Sequence, residues 1–167
     1  MIDYNEVEKY LQDHDVSGSM MYIGCDSEAL GMVGRGKLKA SYTTVLVIHL
    51  KQKHGCKIFY DIEQKIIHAR DRKEAVAARL REEYLLAGKI AQNIGIPLAI
   101  EYDMEIEIHL DLNPDPACKS SVVVNEAVGF IRGTCNMTPK IKPDAPIAST
   151  CADMFRAKLA WVRPKAA

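Results

Sequence analysis

The sequence predicts an α/β domain built on a mixed five-stranded sheet, three antiparallel strands followed by two parallel ones, with helices on both faces. Three observations carry that prediction. The apolar run Met20-Met21-Tyr22-Ile23 ends abruptly at Gly24-Cys25-Asp26, as a strand does when it delivers a carboxylate from its carboxyl end into a crevice. Apolar and polar residues alternate strictly from Ile100 to Leu112, the pattern of a strand. Helical spacing runs from Arg72 to Asn93 between them, so the order reads strand, strand, strand, helix, strand, helix, strand, helix.

At 167 residues the chain falls in the range of one domain, with residues 1 to 18 as an appended N-terminal helix. Lys plus Arg and Asp plus Glu number 22 each, so no global positive field draws the protein onto nucleic acid, and such a partner needs a local basic patch. The five cysteines are an odd number with no Cys-x-x-Cys pair, which suggests neither a disulfide framework nor a zinc knuckle. Each reads as a small buried residue rather than a nucleophile. No stretch reaches bilayer-spanning length and the N-terminus is charged from its third residue, so a cytoplasmic protein with no membrane partner is expected.

Taken in order, residues 3 to 13 set Val7, Tyr10 and Leu11 at helical spacing before the polar breaker Asp13 to Gly18. The first strand spans about 20 to 26. Asp26 and Ser27 at its end are also ordinary turn formers, while Gly24 leaves room for close approach. Gly31 to Lys37 matches the Gly-x-x-x-x-Gly-Lys half of a phosphate loop. Leu38 stands where a Mg²⁺-binding hydroxyl belongs, and a β-rich run rather than a helix follows, so the anion cradle is missing. A flexible basic hairpin loop carrying Arg35, Lys37 and Lys39 is the better reading. Residues 41 to 50 and 57 to 64 form a hairpin around Lys-Gln-Lys-His-Gly, and the first of these could pair across a homodimer.

The helix from Arg72 to Asn93 stops at Gly95-Ile96-Pro97. Its apolar face holds Val76, Leu80, Tyr84, Ala87 and Ala91, and Glu83 shares that face while Glu82 points to solvent. An acid on a core-facing stripe costs free energy unless a partner or metal compensates it, which singles out Glu83. In the strand from Ile100, Glu101, Asp103, Glu105, Glu107, His109 and Asp111 occupy one face. Such a row is ordinarily a solvated sheet face; Asp111 differs by its position at the carboxyl end, before Asn-Pro-Asp-Pro. A helix over 118 to 133, a short strand over 139 to 145 and a last helix over 149 to 161 complete the chain. Asp153 lies near the first turn of that helix, where the helix dipole by itself favours a negative charge.

In the predicted sheet the first strand lies beside the one ending at Asp111, so Asp26, Glu83, Asp111 and a late acid converge. Clustered carboxylates repel one another, and a hard divalent cation relieves that repulsion. The motifs Tyr22-Ile23-Gly24-Cys25-Asp26-Ser27, Arg79-Leu80-x-x-Glu83, Ile108-His109-Leu110-Asp111, Lys142-Pro143-Asp144-Ala145 and Ala148-Ser149-x-x-Ala152-Asp153, in this order, resemble the YkuK-type branch of the ribonuclease H-like superfamily. The resemblance covers roughly residues 20 to 160. It implies a ribonuclease H-like fold whose acids hold two Mg²⁺ or Mn²⁺ ions, acting as a nuclease on RNA, DNA or a hybrid. Asp26 would bridge both ions and Glu83 and Asp111 would flank them, with Asp153, or alternatively Asp144, as the fourth ligand. Ser27, His109, Lys142, Arg35 and Lys37 are candidate substrate contacts, although His109 reads equally well as a structural histidine.

Two other functions compete: a non-catalytic nucleic-acid or protein-binding module on the same fold, and a nucleotide-binding protein of the actin-like kinase class. The second needs two such domains and the chain is short for it.

Overall fold

The computed structural model describes residues 1–51, 55–147, 150, 151 and 154. Helix α1 (Tyr4–Gln12) starts where Asp3 accepts a hydrogen bond from the Asn5 amide at 2.9 Å, and it buries Val7 and Leu11 as their spacing predicts. Tyr10 packs edge-on against Phe59 at 5.9 Å between ring centroids. Strand β1 (Met20–Gly34) pairs antiparallel with β2 (Lys37–His49), which pairs antiparallel with β3 (Cys56–His68). β1 also pairs in parallel with β4 (Glu105–Leu110), giving the order β3-β2-β1-β4. Helix α2 (Arg72–Ile90) crosses from β3 towards β4, with α3 (Ile96–Glu101) continuing it and α4 (Val124–Cys135) following β4.

The meander and the parallel β1–β4 pairing match the expected topology, but four strands are present among the described residues rather than five. The segment expected as the fifth makes a single parallel bridge, Lys140 to His109, and the Lys142 amide then donates to the Leu112 carbonyl at 3.0 Å. Pro139 and Pro143 flank this stretch, and a proline has no N–H to carry a ladder further. The last predicted helix and Asp153 lie outside the described residues, apart from Thr150, Cys151 and Met154.

Three other expectations are corrected. Residues 28 to 40 are strand, not loop: β1 and β2 extend into a long arm closed by a turn at Arg35-Gly36. Gly31 and Gly34 sit at positive φ where the register shifts, so these glycines form bulges that twist a ladder without ending it. The strand beginning at Ile100 starts only at Glu105, because Gly95-Ile96-Pro97 does not stop the helix. After α2 the chain widens into a π turn over Ala91–Gly95, with the Ile96 amide reaching the Ala91 carbonyl, and Pro97 falls in the first turn of α3. Asp103, at φ 50°, closes α3 in the left-handed conformation while the Met104 amide returns to the Ala99 carbonyl at 2.8 Å. Finally, β2 lies between β1 and β3, so both its edges are occupied and it offers no edge to a second copy.

One face of the sheet buries Met21, Ile23, Cys25, Ile108 and Leu110 under Leu80, Tyr84, Ala87, Ala91 and Leu98 of α2 and its continuation. Gly95 lets the helix sit close to the sheet: a Cβ there would stand 2.4 Å from Ile23 Cδ1 and 2.9 Å from Ile106 Cδ1. The opposite face carries a smaller cluster of Val45, Val47 and Cys151, with Tyr22, Ile58 and Ile147 against it. Asp26 and Asp111 belong to the strand positions of that second face.

Candidate active site

The parallel register fixes the first relationship in the site. Gly24 lies opposite His109 and Cys25 opposite Leu110, so the next row brings Asp26 alongside Asp111, where β4 ends and β1 runs on as the arm. On the other side of β1, Asp26 faces Thr43, whose hydroxyl is fully buried and has no hydrogen-bond partner among the described residues. Asp26 itself is 8 % exposed, and the amide of Ser27 donates to its Oδ1 at 2.7 Å. An acid in the middle of an interior strand is thus held by its own following amide.

Glu83 arrives from α2. Its place on the apolar stripe buries it to 3 % exposure, as its spacing predicts, and the Ser27 hydroxyl donates to its Oε1. Burial, first, and then the negative charges of Asp26 and Asp111 push the Glu83 carboxyl up to about 8, against the opposing pull of the Ser27 hydrogen bond and of Arg79. Glu82, expected in solvent, is partly exposed and pairs with Lys65.

Asp111 Oδ1 is buried and faces Lys142 Nζ at 2.6 Å. Asp111, with Asp26 beyond it, holds the Lys142 ammonium above its ordinary range although the side chain is partly exposed. Three carboxylates from three elements, Asp26, Glu83 and Asp111, therefore sense one another electrostatically, and two cations, Arg79 and Lys142, answer them.

Arg79 is the residue that sequence reasoning missed. Its Nη1 donates to the Ser27 carbonyl at 2.6 Å and to the Ser27 hydroxyl, and pairs with Glu83 Oε1 at 3.2 Å. The signal was available, because Arg79 and Glu83 are four residues apart on a helix, the spacing that lets opposite charges meet.

Other candidates stand further away. His109 is 3 % exposed; its Nδ1 accepts the Ile147 amide at 3.4 Å, its Nε2 bonds Glu107 at 2.9 Å, and its ring meets Tyr22 edge-on. Nδ1 thus holds the chain after Pro143 against β4 while Nε2 is engaged within β4 itself, the structural role. Asp144 is exposed in a turn, its amide bonded to the Ile141 carbonyl at 2.9 Å. Arg35 and Lys37 are exposed at the tip of the β1–β2 arm, Arg35 nine residues past Asp26 or roughly 30 Å of extended chain away, so they are not brought to the acids.

Among the described residues no three His, Cys, Asp or Glu side chains stand at metal-chelating separation. The donor chemistry nevertheless fits a hard divalent ion: carboxylate oxygens only, one of them buried against a displaceable lysine, beside an unpartnered buried hydroxyl.

A family model described as ribonuclease H-like matches residues 3–156 of the chain. Among solved structures, the crystal structure of NurA bound to dAMP and manganese matches with a TM-score of 0.35 and 10 % sequence identity. That match covers 66 % of this chain and 25 % of the other, so the chain spans about a quarter of that structure's length. No curated protein matches by sequence.

Proposed function

The chain belongs to the ribonuclease H-like family, and on that basis we propose that it is a divalent-metal-dependent nuclease hydrolysing phosphodiester bonds of RNA, DNA or a hybrid. Within the family the order of its motifs favours the YkuK-type branch, and we place it as a single-domain cytoplasmic protein. The observation carrying the proposal is the electrostatic coupling of buried Glu83 on α2 to Asp26 of β1 and Asp111 just past β4, with burial and their repulsion raising Glu83 to about 8. A buried carboxyl raised by two neighbouring acids is relieved when further positive charge arrives, as expected of a cation site before loading.

Bound Mg²⁺ or Mn²⁺, two ions per site, would activate a water for in-line attack and stabilise the leaving oxygen. Asp26, Glu83 and Asp111, with Asp153 or Asp144, would hold the ions. The Ser27 amide fixes the Asp26 carboxylate in place, and the Ser27 hydroxyl orients Glu83. Arg79 and Lys142 hold the acids together by neutralising them, and Lys142, partly exposed, is positioned to turn from Asp111 to a substrate phosphate.

The test is cleavage of labelled RNA, DNA, hybrid and branched substrates with Mg²⁺ or Mn²⁺, comparing wild type with Asp26→Asn. The variant is expected to fold normally and to lose roughly 10²-fold or more of the activity. Equal activity in the purified variant refutes the proposal. The second reading, a non-catalytic binding module, is favoured by the internal pairing of Arg79 with Glu83 and Lys142 with Asp111. It predicts binding with no turnover under any divalent ion.

A further inference from the structure

Next to Arg79, the long β1–β2 arm stands away from the start of α2 and leaves a cleft of about 580 Å³ between them. Its floor is apolar, with Met32, Leu38 and Val76, and Met32 is 62 % exposed. Its rim is cationic: Arg72 and Lys119 stand on it, and a neighbouring hollow over Val76 adds Lys73. None of these three cations pairs with a carboxylate among the described residues. The acid of the lining, Asp71, has a carboxylate oxygen engaged in capping α2 through the Glu74 amide at 2.8 Å. At its inner end the cleft is lined by Arg79, whose guanidinium touches Ser27 and Glu83.

We infer that this cleft binds a single-stranded stretch of nucleic acid and leads it to the Arg79–Glu83 edge of the candidate site, an inference that rests on the nuclease reading and names its substrate form. The occupant follows from the two surfaces. A polyanion is what unpaired Arg72, Lys73 and Lys119 attract from a chain with no net charge. A duplex presents sugar-phosphate to a groove and keeps its base faces stacked inside, so it has nothing to lay on an apolar floor. Unpaired bases do, and sequence-tolerant binding of single strands combines such apolar platforms with a positively charged track for the backbone.

The test is fluorescence anisotropy of a labelled single strand and of a duplex of the same length, in EDTA so that binding is read without cleavage. Wild type should bind the single strand at least about fivefold more tightly than the duplex. The exposed double variant Arg72→Glu, Lys119→Glu should weaken single-strand binding by about tenfold or more and reduce the slope of log affinity against log salt by about 1–2. Met32→Gln, which leaves every charge in place, should weaken it about threefold with the salt slope unchanged. Circular dichroism establishes that each variant is folded. Equal affinity for duplex and single strand, no binding of either, or variants that bind like wild type overturns the inference. Single-strand binding through the rim by a protein that cleaves nothing leaves this inference standing and removes the nuclease reading. Cleavage at wild-type rate by the rim variants does the reverse.

Discussion

Arg79 and Glu83, one turn apart on α2, form an ion pair at 3.2 Å in which the acid is almost wholly buried and the same guanidinium also holds the Ser27 carbonyl at 2.6 Å. The pair ties the helix to the middle of β1. Replacing Arg79 by Met keeps the length of the side chain while leaving Glu83 and the Ser27 carbonyl without that donor. A loss of about 1–3 kcal/mol in urea unfolding is expected, with Arg79→Lys recovering part of it. An unchanged midpoint in Arg79→Met would show that the pair holds nothing.

Glu83 sets a pH dependence whose sign is unusual for a carboxylate. Burial raises its folded-state value to about 8, well above that of the unfolded chain, so the native state binds the extra proton. Its contribution to stability is therefore complete at low pH and is lost as pH rises through about 8. In EDTA, Tm should fall between about pH 5 and pH 8 by an amount reflecting a few kcal/mol at most, and Glu83→Gln should flatten that slope. A variant that keeps the full slope refutes the assignment to Glu83. With Mg²⁺ or Mn²⁺ added, wild type alone should regain stability at the higher pH, releasing protons as it does so.

His109 separates architecture from chemistry. His109→Ala removes the partners of both Glu107 and the Ile147 amide and should cost about 2–3 kcal/mol. At a temperature where the variant is folded, its affinity for Mn²⁺ by calorimetry should stay close to that of wild type. A loss of roughly 10–100-fold would instead mean that His109 supports a ligand.

Gly95 is a packing residue in a helical backbone at φ −63°, so substitution there tests space and not backbone strain. Gly95→Val would drive its side chain into Ile23 and Ile106, and should cost about 2–3 kcal/mol by overpacking. Chemical denaturation measures it; a change below about 0.5 kcal/mol would show that the sheet and helix shift apart freely.

The site was more legible than the fold's boundaries. Asp26 was visible because an apolar run stopped on it, Glu83 because a charge interrupted a helical stripe, and Asp111 because alternation ended there. Each signal is local: Glu83 is buried as its stripe predicts and Asp111 follows the end of β4, whereas β1 runs on past Asp26 to Gly34. The boundaries failed where one signal served two structures: Ile100 and Glu101 continue an alternating pattern yet finish a helix, and Gly31 and Gly34 punctuate a loop as readily as a bulged strand.

By itself the sequence determined which residues face inward, because side-chain periodicity is a property of the element and needs no partner. It determined the order of elements and so the parallel pairing that sets Asp26 beside Asp111. Tertiary structure alone decided that the helix runs on past Gly95, since only the nearness of Ile23 and Ile106 makes a glycine there a matter of space. It also decided which cations answer the acids: Lys142 meets Asp111 across 31 positions of sequence, and electrostatic energy depends on separation and burial, which spacing along a chain does not carry.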